Sequence, residues 1–264
     1  EDIKLYQRFY DQTNLDFLVR VELDSGLAAL RPSQLPGLLR YFVQQKLGET
    51  ADIHKWHYSG FVVRHNLGGQ MTSDYEFGCE ILGDFNHLSE AQGIAAVWEF
   101  LSSLDLGDLT LEVNNLGSLE SQANYVRVLA DALLPKKYEL CDNCNEYLVS
   151  RPIKILLCKN LDCQAVWTES APTILDFLDQ DSHKDFTSVL EALDEMNIPY
   201  QLNAFHIGRD SHEKTNFVIK SQVKGHTLNL VEGGHHSALL QSLGARAAGA
   251  RAFGFYGSLK LLRQ

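Results

Sequence analysis

The sequence predicts an α+β fold, an antiparallel sheet with helices packed on it. Three observations predict it. Strand-like and helix-like segments are interleaved along the chain. The paired strands are joined by loops too short for the crossovers that parallel strands need. And 264 residues, 45% of them hydrophobic, with no repeat period and no low-complexity linker, can fill the core of one large domain or two modest ones.

The elements follow in order. Residues 34–47 (QLPGLLRYFVQQKL) carry apolar positions at helical spacing, with Pro36 near the start, and predict an amphipathic helix. Residues 56–64 and 75–82 predict two strands of a hairpin, joined by a loop over 65–74 that holds Gly68-Gly69. A helix is expected over 89–104, opened by Ser89. A strand follows over 109–117, and then a helix over 118–133 with Ser118 as its N-cap. The stretch 134–166 carries four of the five cysteines and is expected to form a small inserted subdomain between core segments 1–133 and 167–264. Residues 182–200 predict a helix that stops near Asn197-Ile198-Pro199. NFVIKS (216–221) and HTLNLVEGG (226–234) predict strands. HSALLQSLGA (236–245) predicts a helix, and the chain closes on a strand feeding a short helix.

Bulk chemistry narrows the function. Lys and Arg number 23 against 34 Asp and Glu, a net charge of −11, whereas a dedicated nucleic-acid binder carries a basic face. No run of about 18 apolar residues offers a membrane span. The charged, aromatic start EDIKLYQRFY does not resemble a signal peptide, so a reducing cytoplasm is expected. The cysteine spacing Cys141-x2-Cys144…Cys158-x4-Cys163 suits one tetrahedral structural zinc, and ordinary thiols are the alternative. Cys79, in mid-strand, reads as a small buried residue. The stretch EGGHHS (232–237) poses a sharper question, because adjacent histidines after two glycines could be a metal site, an acid–base pair or neither. On adjacent positions the two rings should point in different directions.

Eight segments, in order, resemble the catalytic core of histidyl-tRNA synthetases, a class II aminoacyl-tRNA synthetase family. They include ALRPSQLPGLLR (29–40), WHYSGFVVRHNLGGQMTSDYEFGCEILG (56–83, resembling motif 2), LEVNNLGSLESQANYVRVL (111–129), RPIKILLCKN (151–160), GRDSHEKTNFVI (208–219), EGGHHSALLQSLG (232–244) and FGFYGSLKLL (253–262, resembling motif 3). The resemblance implies a six-stranded antiparallel sheet flanked by helices. In active members it implies ATP- and Mg²⁺-dependent formation of histidyl-adenylate and transfer to tRNA.

Residue by residue, the resemblance keeps the scaffold and loses charge. Arg64 stands where motif 2 grips the α-phosphate, and Glu80 is retained. Ser33 replaces the glutamate that receives the histidine amino group, Asn66 replaces another glutamate, and Glu76 replaces a glutamine. The arginine facing the reacting groups falls near Ile207; Arg209, beside Asp210, lies two places on. Ser211 and His212 replace two tyrosines. His235, His236 and Ser237 replace an arginine, a tyrosine and an acid. Lys260-Leu261 replaces the Glu-Arg pair of motif 3, whose arginine clamps ATP. The expectation is a protein that has lost histidine activation and has a regulatory or interaction role, in the manner of the regulatory subunit of ATP phosphoribosyltransferase. Its cleft would be lined by Ser33, His212, His235 and His236 and would take a histidine-like small molecule. A homodimer or a protein partner is expected, and tRNA is not. The alternative is a working histidine–tRNA ligase needing ATP and Mg²⁺. The resemblance ends at motif 3, so no anticodon-binding domain is expected within it.

Overall fold

In the computed structural model, residues 2–10, 15, 17–24, 26–66, 69–208, 213–223, 225–245 and 250–263 are described. Arg209, Asp210, Ser211 and His212 therefore lie outside the described residues, as does Gly68. The elements are α1 (Ile3–Phe9), β1 (Arg20–Leu23), β2 (Gly26–Ala29), α2 (Leu35–Gln44), β3 (His54–His65), β4 (Met71–Gly83), α3 (His87–Ser102), β5 (Asp108–Asn115), α4 (Leu119–Leu133), α5 (Asp142–Ser150), α6 (Leu161–Ser170), α7 (Gln180–Glu195), β6 (Gln201–Leu202), β7 (Glu213–Val223), β8 (His226–His235), α8 (Ser237–Ser242) and β9 (Arg251–Ser258).

The α+β architecture holds, with two corrections. The main sheet has seven strands rather than six, ordered β3-β4-β9-β8-β7-β5-β6. All pairs are antiparallel except the last, in which the two residues of β6 run parallel to Glu112 and Val113 of β5. A separate hairpin of β1 and β2 stands apart from this sheet.

One face of the sheet packs Ile81, Phe217, Ile219, Val231, Phe253 and Phe255 against the apolar stripes of α3 and α7, which form the main core. The other face is covered at one end by α2 and α8 through Leu39, Phe42, Leu82, Leu240 and Ala252. A third cluster joins Tyr125, Leu129 and Leu133 of α4 to Leu140, Cys144, Leu148, Ile155, Cys163 and Val166. The cysteine-bearing stretch thus shares a core with α4.

Capping explains where the helices begin. Asn86, not Ser89, opens α3: its side chain accepts from the backbone N–H of Leu88 and Ser89, and Ser89 is buried inside the helix. Ser118 caps α4 as expected, accepting from Ser121 N–H at 3.2 Å. Asp179 opens α7 at 180 rather than 182 and also ties it to α4. Its carboxylate accepts from Ser182 N (2.8 Å), Ser182 Oγ (2.9 Å), Ser121 Oγ (3.0 Å) and Ser118 N (3.4 Å). The Ser182 backbone N–H, with Ser118 next, holds this carboxyl far below the usual carboxylate range.

Asp179→Ala removes a cap and a bridge together, so a loss of about 1–2 kcal/mol is expected in chemical denaturation. The sign of the pH dependence follows from the depressed folded value. The contribution is complete above the unfolded carboxyl value of about 3.9 and is lost as pH falls toward the folded one. The gap between wild type and variant should be flat from neutral pH down to about 5 and close in stronger acid. An unchanged gap at low pH would separate the effect from the carboxylate.

Candidate functional site

The site is built from rows of residues that cross the sheet. Directly paired residues on neighbouring strands present their side chains to the same face. One row, from β3 to β5, reads Trp56, Glu80, Gly254, Gly234, Asn216, Asn114. The next reads Tyr58, Gly78, Tyr256, Glu232, Val218, Glu112. Two glycines at the centre of the first row leave a hollow. A Cβ on Gly254 would overlap the Glu80 carboxylate, and one on Gly234 would press on Asn216. These glycines are there for close approach.

Over this face opens a cleft of about 670 Å³. Its floor carries Glu80, Gly254, Glu232, Tyr256 and His236. Ser33 and Arg64 line one part of the wall, and Lys154 and Lys159 line another. Ser33, Arg64, Glu80 and His236 therefore line the same cleft. Glu76 lies beneath: it is buried, and its Oε1 accepts from Ser33 Oγ (2.9 Å) and Gln34 N (2.7 Å), anchoring the start of α2.

The two histidines of EGGHHS diverge, as the strand period requires. His236 faces the cleft. Its Nδ1 lies 3.0 Å from Gly234 O and its Nε2 lies 2.8 Å from Glu80 Oε2. A carbonyl can only accept, so Nδ1 carries a proton, and the pair holds a further proton between Nε2 and the carboxylate. Both side chains are almost fully buried. Burial raises the Glu80 carboxyl, and the nearby His236 offsets only part of that. For His236, burial disfavours the cation, but the Glu80 carboxylate outweighs it and raises the imidazole above its ordinary value.

His235 must be corrected. It faces the opposite side of the sheet, where its ring packs near Phe85 (centroids 5.7 Å apart) and Phe253 (6.1 Å). Its Nδ1 meets Ser237 Oγ at 3.0 Å, and its Nε2 sits 3.3 Å from Glu90 Oε1 without hydrogen-bond alignment. It is a core histidine and does not line the cleft. Nor does Leu261 enter the cleft; it packs against the main core. Ile207 is buried in the cluster around α4.

Glu232, Tyr256, Lys154 and Lys159 also line the cleft and were not singled out from the sequence. Glu232 and Tyr256 were signalled by period 2, since Glu232, Gly234 and His236 share parity. Glu232 is held by Tyr256 Oη (2.7 Å) and Asn229 Nδ2 (3.0 Å). Lys154 and Lys159 had no comparable signal, because they reach the cleft only through the packing of the cysteine-bearing stretch.

No protein-family model matches the chain. Among curated proteins, the histidine–tRNA ligase of Acholeplasma laidlawii is 34% identical over 221 residues, 81% of this chain and 52% of that relative. The histidine–tRNA ligase of Streptococcus mutans is 32% identical over 231 residues, 85% of this chain and 53% of that relative. The chain belongs to the histidyl-tRNA synthetase family. It spans about half the length of the curated relatives it matches.

Solved structures agree on the fold. The apo histidyl-tRNA synthetase of S. aureus superposes with a TM-score of 0.74 at 23% identity, covering 100% of this chain and 62% of that one. An ATP phosphoribosyltransferase regulatory subunit/histidyl-tRNA synthetase from Bacillus halodurans gives 0.67 at 16% identity, covering 98% and 70%. Within the histidyl-tRNA synthetase framework, the seven-stranded sheet and its cleft are thus the class II fold, and the departures lie in the side chains that fill it. No helix among the described residues is long and apolar enough to cross a membrane.

Proposed function

We propose that this chain is a histidyl-tRNA synthetase-like protein that has lost histidine activation, acts as a regulatory or interaction protein, and takes a histidine-like small molecule in its cleft. One observation carries the reading: the acidic groups of the site are spent on internal partners. Glu80 is paired with His236 at 2.8 Å, and Glu76 is bound to Ser33 and the Gln34 backbone. Glu80 Oε2 is turned to the imidazole, and Glu76 does not line the cleft, so neither stands as the acidic receptor that an incoming ammonium group would need. Leu261 packs in the core and cannot clamp a phosphate. Each missing charged contact is worth roughly 1.5–3 kcal/mol, and each ~1.4 kcal/mol is tenfold in rate.

Histidine-dependent exchange of pyrophosphate into ATP is therefore expected at background level with Mg²⁺ present, and calorimetry should show no ATP–Mg²⁺ binding. Histidine itself should give a measurable binding heat. Clear exchange turnover would overturn the reading. It would favour the second one, an ATP- and Mg²⁺-dependent histidine–tRNA ligase with an altered site. That second reading draws its support from Arg64, which still lines the cleft near Glu80. A homodimer or a complex with a protein partner is part of the proposal. Light scattering of the purified chain tests the first, and a strictly monomeric chain would leave the partner form.

A further inference from the structure

Four of the five cysteines converge on one point. Cys141 is the N-cap of α5, Cys144 lies in the first turn of α5, Cys158 closes the 3₁₀ turn Pro152–Leu157, and Cys163 lies in the first turn of α6. Their four Sγ atoms all lie within 4.8 Å of one another. Cys141 Sγ and Cys158 Sγ are 3.9 Å apart. A tetrahedral zinc with Zn–S bonds of about 2.3 Å has sulfur–sulfur edges of about 3.8 Å. A disulfide would require about 2.05 Å.

The surroundings suit an anionic cluster. The backbone N–H of Cys141 donates to Cys163 Sγ at 3.1 Å. Such N–H···S contacts stabilise metal-bound thiolates and fix their orientation. The N-termini of α5 and α6 both point their positive ends toward the sulfurs. Two of the cysteines are fully buried and two are half-buried, so the cluster closes an edge of the core that includes Leu140, Leu148 and Val166. Four thiols packed merely as small apolar groups would not need to come from three separate segments with their sulfurs turned inward.

We propose that Cys141, Cys144, Cys158 and Cys163 bind one Zn²⁺ as a closed tetrathiolate site. The ion ties the starts of α5 and α6 to the 3₁₀ turn between them. Lys154, Leu157 and Lys159 line the cleft from the same stretch and flank Cys158. The metal therefore also sets the basic lip of the cleft. The site is structural, since all four positions are protein sulfur and none is left for water.

The test is elemental analysis of the whole chain, made without a histidine tag and kept reduced. One zinc per chain is expected, falling to background in the C141S/C158S variant, which alters the two half-buried positions. Exchange of Co²⁺ into the wild-type protein should give thiolate-to-cobalt charge transfer with the d–d bands of a tetrahedral site. This second readout holds even where the serine variant fails to fold. Chelation with a strong zinc ligand should lower the melting temperature of the wild type and leave that of the variant unmoved. Zinc at background in reduced wild type, together with no cobalt–thiolate bands, would overturn the proposal, as would a disulfide between any two of the four in protein isolated under thiol-trapping conditions.

Discussion

His236→Ala is expected to destabilise the protein by about 3–5 kcal/mol near neutral pH, because it leaves Glu80 buried and alone, where it must either stay charged or take up a proton that the unfolded chain has released. The cost should depend on pH in a way that a simple cavity would not reproduce. Both partners of the pair have folded values raised above their unfolded ones. Raised values mean that the folded pair holds protons that the unfolded chain releases, so stability falls as pH rises. For His236 the contribution is complete below the unfolded value of about 6.5 and is lost as pH climbs through the folded one. The two groups share one hydrogen bond, so they titrate as a unit.

In His236→Ala the carboxyl has lost its cationic neighbour, and burial, with the nearby Glu76, raises it further. Near pH 3 it is neutral in both folded and unfolded chains, so the penalty there should be little more than the cavity, about 1–2 kcal/mol. The gap should widen steadily toward pH 7. Glu80→Gln removes the charge and keeps an amide for the neutral ring. It should cost less than His236→Ala and flatten the alkaline fall in stability. Urea titrations at several pH values decide the matter. A penalty independent of pH would mean that the carboxyl left alone in His236→Ala takes up no more protons on folding than the wild-type pair does.

The parts of this architecture that were legible in the sequence are those written in local periodicity. The alternation of β4, β8 and β9 and the stripes of α2 and α4 were readable, and so were Ser118 as a cap and the stop before Pro199, where Asn197 takes a left-handed φ of 57°. Features without local periodicity were misjudged. The seventh strand has two residues, both exposed, and no two-residue segment carries a pattern. The hairpin connection shrinks from 65–74 to 66–70, because Met71–Asp74 look polar and loop-like yet continue a one-to-one register with Val62–His65. His235 and His236 had to diverge, but the partner that fixes the role of His236 lies 156 positions away. The pairing of Glu76 with Ser33 spans 43 positions. Charge lost from a site can be read by matching motifs. How the remaining charge is satisfied depends on contacts that only the folded sheet brings together.

Gly254→Ala should be among the most damaging single-methyl changes in the sheet, with an expected loss of about 3 kcal/mol or more, at or above the usual range for overpacking. Gly254 sits in β9, paired with Glu80 on one side and Gly234 on the other. A Cβ there would overlap the Glu80 carboxylate and the Cys79 backbone carbonyl. Neither can step aside cheaply. The carbonyl belongs to a sheet ladder, and the carboxylate is fixed by its bond to His236. If the carboxylate moves, the buried pair is strained as well, so the two costs add. The effect has no φ component, since Gly254 is not among the glycines with positive φ. A double-mutant cycle separates the two obstacles. In a Glu80→Ala background the methyl group meets only the Cys79 carbonyl, and the penalty of Gly254→Ala should fall. An equal penalty in both backgrounds would assign the clash to the Cys79 carbonyl alone. A penalty below about 1 kcal/mol in the wild-type background would mean that the carboxylate does not lie over the glycine, and the hollow that shapes the cleft floor would have to be redrawn.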